Sequence, residues 1–170
     1  MDQLYLIQRP QLPIEGALFS ACRRWRWSLW RIWDPGKNAC VFIGLNPSTA
    51  DETKNDPTVT RCINFARDWG FGGLVMLNAF GWRSTDPRGL DSVEDPVGAD
   101  NDRVIGENCR RAGLIVAAWG NDKRVGDRGD YLCKQVIRRP VVALQRNKNG
   151  SPKHPLYVPG DCRPALFFTP

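Results

Sequence analysis

The sequence contains no apolar run that approaches the ~20 residues needed to span a membrane. Its first residues, MDQLYLIQRPQ, also lack the basic and then apolar pattern of a secretion signal. We therefore expect a cytoplasmic protein with no membrane partner. The chain has 170 residues, of which 42% are hydrophobic and 25% are charged. This size and balance predict a single globular domain, residues 1–170, with a sizeable core.

The chain also lacks any Cys-x-x-Cys pair, although it has six cysteines. They are Cys22, Cys40, Cys62, Cys109, Cys133 and Cys162. Most of them fall at positions that face the apolar side of their segments, which favours buried free thiols over metal ligands. An iron–sulfur site assembled from distant cysteines is the alternative. No motif indicates a cofactor, and we expect neither a cofactor nor a metal ion.

Acidic residues are fewer than basic ones, with 18 Asp and Glu against 24 Lys and Arg, a formal charge of +6. The sequence pI is about 9.2. This balance favours a polyanionic partner, and a nucleic acid such as DNA is the first candidate. The alternative is a solvated basic surface without such a partner.

Four apolar runs that end in polar or aromatic residues predict buried strands. They span residues 40–45, 73–78, 114–118 and 141–144. Helical spacing predicts a helix after Asp56-Pro57 that ends at Gly70, a second one that ends at Gly113, and a third at about 127–139. This alternation predicts a three-layer α/β/α fold with a central four-stranded parallel sheet.

Arginine and tryptophan alternate in residues 23–33, RRWRWSLWRIW, which predicts a further strand. The turn at residues 34–38 predicts that this strand pairs antiparallel with the 40–45 strand, as an N-terminal edge strand. One interpretation is a platform on which bases stack and arginines bind phosphates. The favoured interpretation is a strand with one face in the core and the other in solvent, because aromatic residues are ordinary strand formers.

The first buried strand breaks at GLNPS, residues 44–48, into a tight polar turn. Ligands of parallel α/β sheets bind outside the carboxyl ends of the strands, so we expect Asn46 to face a crevice there. Asn78 ends the second strand, and the basic loop at 145–160 holds the only histidine, His154. Asparagine can read a base edge, although it also forms turns. Histidine can donate to an anion or move a proton near neutral pH, although a lone histidine is more often structural.

Four motifs in chain order, GLNPS, VMLNAF, VAAWGN and HPLY, resemble the signatures of the uracil-DNA glycosylase superfamily. The GLNPS turn is most similar to the mismatch-specific branch, where Asn replaces the usual Asp. Nearly all of the chain from about residue 25 to 159 resembles domain-of-unknown-function family 1643. The motifs of that resemblance are NPSTAD, DPT-x-x-RC, LNAF-x-WR and NG-x-P-x-HPLY. The glycosylase resemblance implies a uracil-DNA glycosylase-like fold.

The glycosylase resemblance implies hydrolysis of an N-glycosidic bond in DNA, or the processing of a modified base. Asn46 and His154 would be catalytic, the first positioning water and the second stabilising the departing base. Asn78 would read the base, Leu156 or Tyr157 would wedge into the stack, and Lys148 or Lys153 would hold phosphates. The expected substrate-binding residues are Gly44, Leu45, Pro47, Ser48, Asn78, Phe80, Trp119, Asn121, Lys153, Leu156 and Tyr157.

The sequence departs from the glycosylase pattern in three ways. Asn46 cannot take a proton, HPLY lacks the serine of the usual HPS, and the aromatic residue that usually stacks under the base has no clear counterpart. Asp51, Glu52 and Asp56 could replace the missing carboxylate or bind a divalent ion. The favoured interpretation is a solvated acidic loop in which Asp56 caps a helix. A non-catalytic nucleic-acid-binding module and an enzyme acting on free nucleotides are the alternative functions.

Three further side chains near these motifs have competing interpretations. Arg61 and Arg83 would either recognise a phosphate or carboxylate or pair with the nearby acids. Phe65 lies in the helical pattern after Pro57, so we expect a core residue there rather than an aromatic that stacks under a base.

Overall fold

A computed structural model describes residues 14–170. The N-terminal segment in which the sequence shows no secretion signal, residues 1–11, lies outside the described residues. Every helix within the described part of the chain is too short or too polar to traverse a bilayer.

The described residues form one seven-stranded mixed sheet with the order β1-β2-β4-β3-β5-β6-β7. The strands are β1 (Ile14–Phe19), β2 (Arg26–Ile32), β3 (Ala39–Gly44), β4 (Gly73–Asn78), β5 (Leu114–Ala117), β6 (Val141–Ala143) and β7 (Ala165–Phe168). The four predicted buried strands form its parallel centre, β4-β3-β5-β6. The predicted sheet was too small, because β1, β2 and β7 extend this centre by antiparallel pairing. β1 pairs with the next strand, β2, across residues 20–25, whereas β7 pairs with β6 across a long connection, and neither strand was predicted.

The predicted pairing of the arginine–tryptophan strand was wrong. This strand, β2, lies antiparallel to β4 and to β1, and β4 separates it from β3. The turn after β2 hydrogen-bonds to Gly72, whose carbonyl accepts from the amides of Trp33 and Asp34 at 2.9 Å each. A Cβ on Gly72 would lie 2.0 Å from the carbonyl oxygen of Asp34, so glycine permits this approach. The chain therefore returns to insert β4 between two strands that are neighbours in sequence.

The predicted helices are present. They are α1 (Pro57–Asp68), α2 (Asn101–Arg111) and α3 (Arg128–Tyr131), the last continued by a π-helical segment, Leu132–Ile137, and two 3₁₀ turns span Pro87–Ser92 and Pro155–Tyr157. Asp56 caps α1 as predicted, because its Oδ1 accepts from the backbone amide of Val59 at 2.8 Å and Pro57 begins the helix.

Helices cover both faces of the sheet, as the three-layer prediction requires. Along β3 the side chains alternate, so that Phe42 packs with α1 on one face and Ile43 packs with α2 on the other. Phe65 of α1 is a core residue as predicted, with its ring 6.4 Å from that of Phe42. The two layers of side chains bury the parallel strands and leave their carboxyl ends open for a site.

The cysteine prediction is confirmed for four of the six thiols, which are buried and free. Cys40 and Cys62 lie in the core on the α1 face, and Cys109 and Cys133 in the core on the other face. Burial raises the pKa of each of these four thiols. They act as small apolar side chains of the core.

Candidate functional site

A cavity of about 480 Å³ opens at the carboxyl ends of the parallel strands. It lies between the turn after β3, the end of β4, the loop after β5 and the His154 turn. Nine of the residues predicted from sequence line it: Gly44, Leu45, Asn46, Ser48, Asn78, Trp119, Asn121, His154 and Tyr157. The structure thus brings both predicted catalytic residues, Asn46 and His154, to one cavity.

Four of the residues predicted from sequence do not line this cavity. Phe80 packs into the core on the α2 face together with Ala79, because β4 ends at Asn78 and its alternation stops there. Pro47 is buried, and its carbonyl accepts from the side-chain amide of Asn46. Lys153 donates to Gln145 Oε1 at 3.2 Å. Leu156 is 44% exposed and lies directly beside the lining residue Tyr157.

Asn46 is held by its side-chain amide group. Its Nδ2 donates to the carbonyl oxygens of Pro47 at 3.1 Å and Ser84 at 2.9 Å, which uses both amide hydrogens. No described residue donates to its Oδ1. Asn46 therefore braces the turn and keeps an oriented acceptor for a ligand or a water molecule.

Asn78 is buried at the end of β4 and is oriented by an arginine. Its Oδ1 accepts from Arg26 Nη2 at 3.0 Å. Its Nδ2 lies beside Gly44, where a Cβ would approach to 3.0 Å, and no described residue accepts from it. The glycine thus provides the space for this amide, and Asn78 keeps a hydrogen-bond donor at the cavity wall.

Arg26 lines the cavity and was not predicted as a site residue. Ser28 pairs with Leu18 and Arg26 pairs with Phe19, so Trp27 is an extra residue in β2. Such a bulge changes the face on which side chains lie, and here Trp27 enters the core on the α2 face. Arg26, only 2% exposed, lies at the cavity. No local sequence signal marks the bulge.

Neither interpretation of the arginine–tryptophan strand fits completely. Trp27 belongs to the core, as the favoured interpretation expects. Arg26 and Arg31 are buried, however, where that interpretation places the alternate residues in solvent. The reason is that β2 is an inner strand with β1 and β4 on its two sides. Of the four arginines in residues 23–33, only Arg23 and Arg24 are exposed, and both precede the strand.

Of the three acidic residues Asp51, Glu52 and Asp56, only Asp56 lines the cavity. Asp51 accepts from the backbone amides of Thr53 and Lys54, and Glu52 pairs with Arg23 at 2.7 Å. Asp56 uses Oδ1 to cap α1, and no described residue donates to its Oδ2. The helix cap and a cavity carboxylate are therefore the same side chain, which the favoured interpretation of a solvated acidic loop did not anticipate.

His154 is half-buried at the cavity and begins a 3₁₀ turn. Its Nδ1 accepts from the backbone amide of Leu156 at 3.3 Å, so the neutral ring carries its hydrogen on Nε2. Burial lowers the pKa of His154, and the nearby charge of Asp56 opposes this shift. At neutral pH the ring is therefore an uncharged donor through Nε2.

Two residues that sequence patterns did not indicate hold the end of β4 in place. Asn101 is fully buried, and its Nδ2 donates to the carbonyls of Asn78 at 3.0 Å and Ala79 at 3.2 Å. Arg128 donates through Nε to the same carbonyl of Ala79 at 2.9 Å and pairs with Asp102. These bonds fix the backbone that carries Asn78.

A cluster of arginines and aromatic rings lies on the surface that adjoins the cavity. Arg23 and Arg83 stack on the ring of Phe19 at 4.0 and 4.8 Å, and Arg24 stacks on Trp82 at 4.8 Å. Arg83 directly precedes the lining residue Ser84. We call these five residues the arginine–aromatic cluster. Within residues 14–170, Arg83 forms no ion pair with an acid, contrary to one of its two interpretations.

Arg61 likewise forms no ion pair with a described acid. It donates to the carbonyl of Val158 and stacks on Phe65 at 5.1 Å. Groups of three or more His, Cys, Asp or Glu residues that could bind a metal ion do not occur among residues 14–170.

The fold and the cavity define an α/β protein with a polar site at the carboxyl ends of its parallel strands. Residues 26–156 match the family model described as Protein of unknown function (DUF1643), and the chain belongs to this family. Neither a comparison with curated proteins nor one with solved structures gives a match.

Proposed function

We propose that this protein removes a base from DNA by hydrolysing its N-glycosidic bond, as its motifs resemble those of uracil-DNA glycosylases. The observation that carries the proposal is one cavity lined by a carboxylate, an oriented amide oxygen and a neutral imidazole donor. These groups belong to Asp56, Asn46 and His154. Together they can accept a proton from water, orient that water and stabilise the departing base.

Asp56 acts as the proton acceptor that the GLNPS turn lacks. Its Oδ2 is free of bonds to described residues, while Oδ1 holds the carboxylate on the rigid first turn of α1. Asn46 Oδ1 accepts a hydrogen bond from the attacking water and orients it, and Asp56 takes the proton as the new bond forms.

His154 and Asn78 act on the base. The Nε2 hydrogen of His154 donates to an oxygen of the departing base and stabilises the negative charge that develops there. A neutral donor suits this role, because it does not need a pKa matched to the working pH. Asn78 Nδ2 donates to the edge of the extruded base.

The surroundings of the cavity suit a DNA substrate. Tyr157 is 78% exposed at the cavity and Leu156 is exposed beside it, so both can fill the gap that an extruded base leaves. Within the arginine–aromatic cluster, Arg24 is exposed and forms no ion pair with a described acid, so it offers a cation for a phosphate. The net charge of +6 favours the same partner.

The test is a base-excision assay with single- and double-stranded oligonucleotides that carry uracil, mispaired thymine, or oxidised or alkylated bases. Abasic sites are detected by alkaline cleavage. The matched variant is Asp56→Asn, since asparagine caps helices as well as aspartate does but cannot take the proton. We expect its thermal stability to be unchanged and its excision rate to fall on the order of 10²–10⁴-fold. Excision that is insensitive to this change would contradict the role of Asp56.

A second candidate is a nucleic-acid-binding module without catalysis. The observation that favours it is the arginine–aromatic cluster, whose residues Arg23 and Arg24 are exposed and do not line the cavity. Salt-sensitive DNA binding without excision of any base would support this candidate, and Asp56→Asn would then leave binding unchanged. Turnover of free nucleotides in place of DNA would assign the cavity to a smaller substrate.

A further inference from the structure

Arg26 carries a buried charge without a carboxylate partner. No Asp or Glu oxygen of residues 14–170 lies within 4.0 Å of its guanidinium, and its Nε has no hydrogen-bond partner among them. Its remaining bonds go to neutral acceptors, the carbonyl of Ala50 at 3.1 Å and Asn78 Oδ1. Burial lowers the pKa of Arg26 to about 10, and the charge of Asp56, which lies beyond ion-pair distance, opposes this shift only in part, so the group stays charged at neutral pH. Such a charge destabilises a protein unless another group compensates it.

A second arginine on the same strand shows that β2 can satisfy a buried guanidinium. Arg31 is 4% exposed. Its five bonds go to Asn55 Oδ1 and to the carbonyls of Gly16, Trp30, Asp51 and Lys54. Glu15 lies 3.8 Å from its Nε. Arg31 does not line the cavity, whereas Arg26 does. The arginine with an unpaired nitrogen is therefore the one whose side chain lines the cavity.

We infer that Arg26 is a further catalytic residue, which contacts the base as it departs and stabilises it as an anion. This inference rests on the proposed function and deepens it. It assigns the side of the cavity formed by Arg26 and Asn78 to anion binding, and it specifies that the leaving group is charged. Arg26 also orients Asn78, so that two neighbouring hydrogen-bond donors lie on the same side of the cavity.

The chemical step is balanced without any further reactant. The C1′–N bond breaks and its electron pair leaves with the base nitrogen, while the water oxygen forms a bond to C1′. The proton of that water passes to Asp56. The base, held as an anion against Arg26, takes a proton from solvent after it leaves the cavity. The substrate class is therefore a base that departs as an oxygen-delocalised anion.

The test compares two ring-shaped probes by calorimetric titration of the purified full chain. Barbiturate has the uracil ring and a negative charge at neutral pH, whereas uracil is neutral. We expect barbiturate to bind about tenfold more tightly than uracil, since charge-assisted hydrogen bonds contribute on this order. Arg26→Gln should abolish the preference and Arg26→Lys should restore part of it. Arg111→Gln, an exposed change that removes the same charge, should leave the preference intact.

A second variant keeps the inference testable if Arg26→Gln does not fold. Asn78→Asp places a carboxylate next to Arg26 and supplies the missing counter-charge. We expect it to melt at a higher temperature than the wild type and to lose barbiturate binding. Equal binding of barbiturate and uracil by the wild type would overturn the inference. Barbiturate binding that survives in Asn78→Asp would overturn it as well, and so would Arg26-dependent binding of inorganic phosphate without a preference for barbiturate.

The two proposals fail in different ways. Arg26-dependent barbiturate binding without excision of any base would retain the anion site and contradict the glycosylase. Excision by the wild type that persists unchanged in Arg26→Gln would retain the glycosylase and contradict the role of Arg26.

Discussion

The acidic loop of residues 51–55 and the cavity are neighbours built from similar side chains. They differ in that the polar groups of the loop have hydrogen-bond partners within the protein, whereas several polar groups of the cavity have none. In the loop, Asp51 accepts from two backbone amides, Glu52 pairs with Arg23, and Arg31 donates to three residues of the loop. In the cavity, Asn46 Oδ1, Asn78 Nδ2 and Asp56 Oδ2 have no partner among the described residues, and Arg26 Nε is buried without one. The loop therefore maintains structure, and the cavity has groups available for a ligand.

The largest effect on stability is expected where the loop network is broken. Arg31→Ala leaves the loop carbonyls without their donor and should lower the free energy of unfolding by about 3 kcal/mol. Urea denaturation measures this, with Arg111→Ala as an exposed control whose change should stay within about 0.5 kcal/mol. If both variants unfolded alike, the loop would not be a structural network.

A smaller loss is expected from the residue that supports the cavity without lining it. Asn101→Ala removes donors to the carbonyls of Asn78 and Ala79 and should cost about 2 kcal/mol of unfolding free energy. Asn101→Asp keeps the shape but lacks the donors, so denaturation should show a loss for it too. Stability equal to that of the wild type in Asn101→Asp would show that the donors are unimportant.

The exposed aromatic at the cavity mouth should affect binding and not stability. Tyr157→Ala should weaken binding of a base-containing oligonucleotide about tenfold, because stacking of a base on a ring contributes about 1–3 kcal/mol. Fluorescence anisotropy measures this affinity, and Tyr157→Phe should bind as the wild type does. Equal affinities for all three proteins would exclude Tyr157 from the DNA interface.

The smallest effect concerns acid pH. The pKa of His154 is lower in the folded protein than its ordinary value of about 6.5, so the unfolded chain takes up a proton first as the pH falls. The stabilisation by neutral His154 is fully present above about pH 6.5, the pKa of the unfolded chain, and it is lost as the pH falls from there through the lowered pKa of the folded protein. Denaturation at about pH 7 and about pH 5 should show a larger loss for the wild type than for His154→Asn. An equal loss would contradict the desolvated imidazole.

Local patterns were sufficient to predict the parallel strands, the Asp56 cap and the strand ends at which Asn46, Asn78 and His154 meet. These features depend on residues close in the chain or on the general rule that parallel strands end at one edge. The edge strand β7 and the pairing of β2 with β4 depend on long-range contacts, which no local pattern encodes.

The position of Arg26 at the cavity could not be predicted from the sequence. Alternation along β2 places it opposite to Trp27 and in solvent, whereas the bulge and the flanking strands β1 and β4 bury it at the cavity. The role of Asp56 could be predicted only in part. Its cap could be predicted, but its second oxygen acquires a role only because the turn after β3 and the His154 loop complete the cavity.

The most direct test of the central claim is single-turnover excision by His154→Asn, with DNA affinity measured on the same protein. Asparagine can cap the 3₁₀ turn in place of the imidazole, but it does not present the Nε2 donor. We expect the excision rate to fall about 10²-fold while DNA affinity is unchanged, because the donor acts on the departing base alone. An unchanged rate, or a loss of affinity that accounts for the whole effect, would contradict the assignment of this cavity as a base-excision site.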